Sequence, residues 1–280
     1  MVRCSSDSAL AMGRVLPVMI KRKKPENSNL KLAGLFVVLV LSLIILSILF
    51  KFFLIVKTSK FDGTHNFIVS FIGQKSSRVV AFSPQGKSLS ILDINSSKDL
   101  TKLLEIPVDG KISIKEVNDK IPPAIFGSIF SLGKPLSGLT ILDALRLFIF
   151  SETVSANNVK ERELSPDLNA AQQSTLISLS FSDPSVYQEN QSVQIINAAG
   201  IYGIGGRLAA LVTNIGGNVV LISTSDEIAQ VSKIVYYGNK SYTVKKLSDY
   251  LGFKTEKSDK RGMADVIITI GKDGAGGSKF

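Results

Sequence analysis

The sequence predicts an α+β protein with a single N-terminal transmembrane helix. A small β-rich segment with one buried helix follows, and then a C-terminal β-α-β-β-α-β unit of the split βαβ type. Three observations predict this. Leu32–Phe50, LAGLFVVLVLSLIILSILF, contains no charged residue. Residues 66–115 alternate β-branched and small side chains, broken by Pro and Gly. Beyond residue 192, short apolar runs alternate with helix-period segments that close on Gly216 and Gly252.

Composition narrows the function. The 280 residues include one cysteine, Cys4, one histidine, His65, and no tryptophan. A disulfide framework, a cysteine-based cluster and a multi-histidine metal centre are thereby excluded. Hydrophobic residues at 45% against 20% charged exclude wholesale disorder. The net charge of +10 is concentrated at one end. Residues 1–60 hold ten of the 33 basic residues but only Asp7 and Glu26 of the 23 acidic ones. Residues 61–280 therefore keep 23 basic against 21 acidic and are nearly neutral. A clustered basic face for phosphate is missing, so no nucleic-acid partner is expected.

At ~1.5 Å per residue, Leu32–Phe50 spans about 28 Å, which matches a bilayer core of roughly 30 Å. Phe52–Val56 continues the apolar pattern past Lys51, whose stem can snorkel. The membrane helix is assigned to 32–56, with the lipid bilayer as its partner. Lys21–Lys24 (KRKK) and Lys31 precede it, while Lys51, Lys57 and Lys60 are more dispersed. The denser basic side stays inside, so 1–31 is a cytoplasmic arm and 61–280 is extracytoplasmic in a single-pass cell-membrane protein. A cleaved secretory signal is the competing reading, but the run exceeds an h-region and no small-x-small site follows. The KRKK run sets topology and also suits anionic lipid. Met19, just before it, is a second candidate start beside Met1.

In the segment 61–150, strands are expected at Asn66–Gly73, Ser77–Ser83 and Ser88–Ile94, with a turn over Ser83–Lys87. A fourth short strand is expected within Lys102–Ile114. A helix starts after Thr140, with Asp143 at N3 completing a capping-box pair. Its sequence, ILDALRLFIF, is apolar on most faces, which predicts burial against the sheet. The order strand, turn, strand and then Ile106-Pro107-Val108-Asp109 resembles the start of the extracytoplasmic LytR–CpsA–Psr domain. In that family, arginines and an aspartate bind the pyrophosphate of a polyprenyl-linked glycan and its metal ion. Here Val108 stands where the family has arginine, Arg78 has no acidic neighbour in SSRVV, and the later arginine-rich parts have no counterpart. The resemblance implies a reduced form of the domain without the guanidinium cluster that grips a diphosphate. Taken from the residues alone, Asp109-Gly110 is a turn pair.

Residues 151–191 turn polar and read as a linker, with Ser165-Pro166 able to start a short helix through AAQQSTLISL. The C-terminal unit, 192–273, then has strands at Val193–Asn197, Asn218–Thr224, Lys233–Tyr237 and Ala264–Gly271. Its helices cover RLAALVTNIG and SYTVKKLSDYLG. The pattern V-x-I-x-N-x-x-G-x-x-G, the Ala pair in the helix, the N-V-V strand and the ending Ala264–Asp273 are similar to the C-terminal domain of LytR–CpsA–Psr proteins. That resemblance implies a role in bacterial cell-envelope biogenesis and carries over no catalytic residue.

The turn AAGIYGIGG places Gly200, Gly203, Gly205 and Gly206 between a strand and a helix N-terminus. Asp226 lies near the end of the next strand, as in a dinucleotide fingerprint, but the spacing is G-x-x-G-x-G-G rather than G-x-G-x-x-G. Three readings stay open: a tight structural turn, a dinucleotide site, and a glycan or anionic-polymer site using Asn197, Gly200, Gly203, Gly205 and Arg207. Lys254, Lys257, Lys260 and Arg261, interleaved with Glu256 and Asp259, read as a solvated loop. The tail 274–280 is expected to be disordered. No cofactor and no metal is expected. The function expected is non-catalytic binding or scaffolding of cell-wall glycan or envelope proteins. A divergent phosphotransferase joining lipid-linked glycans to peptidoglycan is the alternative, and a nucleotide-binding module a third.

Overall fold

The computed structural model describes residues 28–95, 104–114, 120–131, 135–165 and 167–276. The chain divides into two units, Met1–Phe52 and Phe53–Phe280. Helix α1 (Ser28–Thr58) contains an apolar stretch, Leu32–Thr58, of 27 residues, none of it buried. At ~1.5 Å per residue that is about 40 Å, long enough to cross a bilayer core. The expected N-terminal helix is thus present and extends two residues beyond Val56.

The first sheet of the compact unit has the order β5-β4-β1-β2-β3-β6. Strands β1 (Phe67–Ile72), β2 (Ser77–Ser83) and β3 (Ser88–Ile94) form an antiparallel meander, as their alternation predicts. Strand β4 (Gly110–Ser113) runs parallel to β1. Of the segment 102–114, only these four residues form the strand, and 102 and 103 lie outside the described residues. Strand β5 (Leu136–Ser137) and strand β6 (Val159–Glu163) complete the two edges.

Both faces of this sheet are covered, which is why its central strands are almost continuously buried. On one face Val69, Phe71, Val80 and Phe82 pack under helix α2 (Ile121–Phe130) and helix α3 (Ile141–Thr153), through Ile121, Ile125, Ala144 and Leu147. On the other face Ile68, Val79, Ala81 and Leu92 pack against Leu104, Ile106 and Ile177 and Phe181 of helix α4 (Ala170–Phe181). Residues 151–191, read as a linker, therefore hold β6 and α4, one of the sheet's two covers. The helix anticipated there exists, but Asn169 caps it, with Gln172 closing a capping box.

Helix α3 begins at the capping box read in the sequence: Thr140 Oγ1 accepts from Asp143 N at 3.1 Å, and Asp143 Oδ2 accepts from Thr140 N at 2.9 Å. Its expected burial is corrected to one face. Asp143, Ala144, Leu147 and Ser151 are buried, while Ile141, Leu145 and Ile149 are exposed.

The second sheet has five strands in the order β10-β9-β11-β7-β8. Strand β7 (Ser192–Asn197), helix α6 (Ile204–Asn214) and strand β8 (Asn218–Thr224) make one crossover. Strand β9 (Lys233–Tyr237), helix α7 (Tyr242–Leu251) and strand β10 (Lys254–Ser258) make another. In both, the paired parallel strands are direct neighbours. Strand β11 (Val266–Ile270) lies between the crossovers, parallel to β7 and antiparallel to β9. The four-stranded split arrangement is thus corrected: β11 separates the two units rather than splitting either. The extra strand, KTEKS, is the stretch read as a solvated basic loop. An edge strand exposed on its outer side needs no apolar alternation. Leu208, Leu211 and Val212 of α6 share one core with Val244 and Leu247 of α7 and with Val193, Ile195, Ile234 and Ile268 of the sheet.

Helix α5 (Pro184–Glu189) precedes β7, and a short helix α8 (Lys272–Ala275) lies where the expected tail starts. Residues 277–280 of that tail lie outside the described residues.

Candidate functional site

A cleft of about 610 Å³ opens where the approach to β1, the 107–111 segment and α7 meet. The sequence of α7 explains one wall. Val244, Leu247 and Leu251 face the core, so Tyr242, Lys245, Lys246, Asp249 and Tyr250, at i, i+3, i+4, i+7 and i+8, fall on the cleft side. Ser241 starts this helix by accepting from Val244 N at 3.2 Å.

The second wall is Pro107, Val108, Asp109 and Lys111. Asp109 is doubly fastened to β1: its backbone N donates to Ile68 O at 2.8 Å, and its Oδ2 accepts from Ile68 N at 2.8 Å. Burial raises the Asp109 carboxyl above its ordinary range. Lys246, the Ile68 amide and Lys60 oppose that rise, and Asp183 adds to it.

The third wall runs from Ser59 to Phe67. Asp62 Oδ1 accepts from Thr64 N at 2.9 Å and from His65 N at 3.0 Å, and Asp62 Oδ2 lies 2.5 Å from His65 Nδ1. Partial burial pushes Asp62 upward, but the hydrogen bonds from Thr64 and His65 outweigh it and hold the carboxyl well below the usual range. The His65 ring stacks on Tyr242, with centroids 3.9 Å apart and planes at 14°.

Behind these walls lies a buried charge network. Lys246 Nζ donates to Asp183 Oδ2 at 2.6 Å and to Asn66 O at 3.2 Å. Tyr242 Oη donates to the same Asp183 oxygen at 2.9 Å. Burial, then the charge of Asp183 and its hydrogen bond, drive the Tyr242 phenol far above its ordinary pKa, so it stays a donor. Asp183 Oδ1 meanwhile caps α5 through Ser185 N at 2.9 Å. The cleft therefore offers aromatic faces, carboxylates and lysines, and among the described residues no arginine lines it. Among the described residues, no group of three or more His, Cys, Asp or Glu is placed to hold a metal ion.

The residues singled out in the glycine turn lie elsewhere. Asn197 Nδ2 donates to Ile201 O at 2.8 Å, and its Oδ1 accepts from Ala199 N at 3.2 Å, so its side chain braces the turn. Gly200 and Gly203 have φ of 74° and 81°, and Gly203 caps α6. A Cβ on Gly205 would come within 3.3 Å of Ile222 Cγ2, the signature of a close helix–strand approach. Arg207 Nε lies 3.6 Å from Glu105 Oε1. None of these residues lines the cleft, and Asp226 is exposed after β8. Arg78 pairs with Asp93 across β2 and β3, Nε to Oδ1 at 2.6 Å. Of the motif Ile106-Pro107-Val108-Asp109, the last three residues line the cleft, and Asp109 is the one among them with an ionisable side chain. Lys246, Tyr242, Asp183 and His65 escaped sequence reasoning; the polar i, i+3, i+4 face of α7 was the signal that could have found the first two.

The folded unit thus carries a C-terminal mixed α/β domain whose helix α7 borders a polar cleft, behind a helix able to cross a membrane. Residues 190–273, from just before β7 to the first residues of α8, match the family model described as LytR cell envelope-related transcriptional attenuator, as the resemblance in 192–273 implied. No curated protein and no solved structure matches the chain.

Proposed function

We propose that this chain is a single-pass, extracytoplasmic protein of bacterial cell-envelope biogenesis whose cleft binds cell-wall glycan without turning it over. The match of 190–273 and the apolar N-terminal helix support a membrane-anchored envelope protein. The observation that carries the finer reading is the cleft wall supplied by α7, which lies within the matched residues. Tyr250 and the stacked His65–Tyr242 pair offer aromatic surface for the apolar face of a sugar. Asp62 and Asp249 offer acceptors for its hydroxyls, and Lys60 and Lys245 suit the negative charge of an envelope polymer.

The test is sedimentation of the full chain, in detergent, with purified peptidoglycan. Binding lost in Tyr250→Ala and in Tyr242→Ala supports the reading. Retention by both variants removes the cleft from it, and capture of an envelope protein instead of glycan would favour scaffolding. Protease added to intact cells should cut the part beyond residue 61.

One observation favours the phosphotransferase alternative: Asp109, of Ile106-Pro107-Val108-Asp109, reaches the cleft. Metal-dependent turnover of a polyprenyl-pyrophosphate glycan, abolished in Asp109→Asn, would replace the binding reading with that one.

A further inference from the structure

The compact unit exposes an apolar face on the helix pair α2–α3. On α2, Pro123, Phe126, Gly127 and Phe130 point outward at i, i+3, i+4 and i+7, with Phe126 48% and Phe130 71% exposed. On α3, Ile141, Leu145 and Ile149 recur every fourth residue and are 55%, 43% and 54% exposed. The helices that carry the two stripes meet, since the Phe126 ring lies 5.0 Å from Phe130 and 5.3 Å from Phe148 of α3. Single exposed apolar residues are ordinary, but five large ones gathered on one helix pair mark a contact surface.

The chain's own connection bears on what this face meets. The compact unit begins at Phe53, inside the last two turns of α1. Within three residues of Thr58 the chain is fastened to α3. Ser59 Oγ, Lys60 N and Phe61 N donate to Asp143 Oδ1 at 2.7, 2.9 and 2.9 Å. Arg146 Nη1 donates to Ser59 Oγ at 3.2 Å and to Phe61 O at 3.0 Å. The N-terminal turn of α3 is therefore held by the chain as it leaves the apolar helix. Asp143 and Arg146 hold that segment on one side of α3, and Phe148 meets α2 on another, leaving the Ile141–Leu145–Ile149 stripe turned outward. Lys57 and Lys60 flank the exit and suit anionic headgroups.

We propose that the outward face of α2 and α3 docks into the interfacial layer of the bilayer that holds α1, with Phe126, Phe130, Ile141, Leu145 and Ile149 against lipid. The inference rests on α1 being a membrane anchor. Ser59 and Lys60 also line the cleft, so docking keeps the cleft at the lipid surface instead of leaving it on a swinging tether.

The test uses the full chain in a Cys4→Ser background, reconstituted in vesicles of phosphatidylethanolamine and phosphatidylglycerol. Single cysteines at Phe130→Cys, Ile149→Cys, Leu41→Cys and Tyr237→Cys, all at exposed side chains, carry an environment-sensitive fluorophore. Nitroxide lipids then quench it from shallow or deep positions. Docking gives shallow quenching at 130 and 149 about threefold above that at 237, with deep quenching at 41. Quenching at 41 with 130 and 149 no higher than 237 overturns docking while the anchor stands. Loss of deep quenching at 41 overturns the anchor, and docking with it.

Discussion

Lys246 Nζ sits 2.6 Å from Asp183 Oδ2, with only 8% of the lysine side chain and 1% of the aspartate side chain exposed. The pair ties α7 to the start of α5, and a further bond from Lys246 to Asn66 O reaches the approach to β1. Two charges removed from water stabilise a fold only as a complete pair, and a lone survivor is costly. Lys246→Ala should therefore lower stability by about 3–5 kcal/mol, read from denaturant unfolding. Lys246→Met combined with Asp183→Asn should lose less than Lys246→Ala alone, because no buried charge is left unpaired. Equal losses would show that packing around the lysine stem, and not charge, sets the effect.

Asp109 gives the opposite sign. Its carboxyl is raised above the ordinary range, chiefly by burial, so its ionised form is disfavoured in the fold. The folded state then holds its proton to higher pH than the unfolded chain. Stability is lost as pH climbs from the ordinary carboxylate range through the raised value. Asp109→Asn keeps an oxygen for the Ile68 amide and removes this dependence. The variant should melt above the parent protein at pH 8, and the difference should vanish near pH 4, about the ordinary aspartate value. A variant that melts lower at pH 8 would mean that attraction to Lys246 and Lys60 outweighs burial.

These two aspartates show why the fold was more legible than the cleft. The Thr140–Asp143 capping box and the β1–β3 alternation are local signals, readable within a few residues. Strand β10 was hidden because KTEKS on a sheet edge keeps its charges in solvent and shows no apolar stripe. Helix α4 was underrated because it offers the sheet little more than Ile177, Phe181 and the half-buried Leu176 from a polar stretch. The cleft was hidden by distance along the chain. Asp183 and Lys246 are 63 residues apart, and Asn66 and Lys246 are 180 apart, so no spacing rule joins them.

Asp143 is fully buried and accepts from Ser59, Lys60, Phe61 and Thr140. Burial pushes its carboxyl up, but the bonds from Ser59, Phe61 and Thr140 prevail and hold it below the ordinary range. Here the sign is that of a depressed acid. The stabilisation is complete above the ordinary aspartate value and disappears as pH falls through the lower folded one. Asp143→Ala should cost about 3 kcal/mol at neutral pH, since several donors lose a charged acceptor together. The cost should shrink under acid, measured by thermal unfolding across the pH range. A pH-independent loss would assign the effect to the helix cap alone.

Gly203 isolates the demand for positive φ in the turn before α6. Its φ is 81°, and an added Cβ would meet nothing within 4 Å, so Gly203→Ala tests backbone strain with no clash. The expected cost is about 1 kcal/mol in denaturant unfolding. At Gly205 the added methyl meets Ile222 Cγ2 at 3.3 Å, but that side chain is half exposed and can yield, so Gly205→Ala should cost less. The reverse order would place the constraint in helix–strand packing.

Tyr242 separates what its ring does from what its hydroxyl does. The ring stacks on His65 at 3.9 Å, and the hydroxyl donates to Asp183 at 2.9 Å. Tyr242→Phe keeps the stacking face and removes the donor from a carboxylate that still has Lys246. Stability should fall by about 1.5–3 kcal/mol, the usual net worth of a hydrogen bond to a charged group, while glycan sedimentation stays at the parent level. Tyr242→Ala removes both, so stability falls further and glycan binding is lost. If Tyr242→Phe alone abolished binding, the hydroxyl itself would have to contact the glycan. Asp183 would then serve to aim it, and the Tyr242–Asp183 bond would belong to recognition more than to folding.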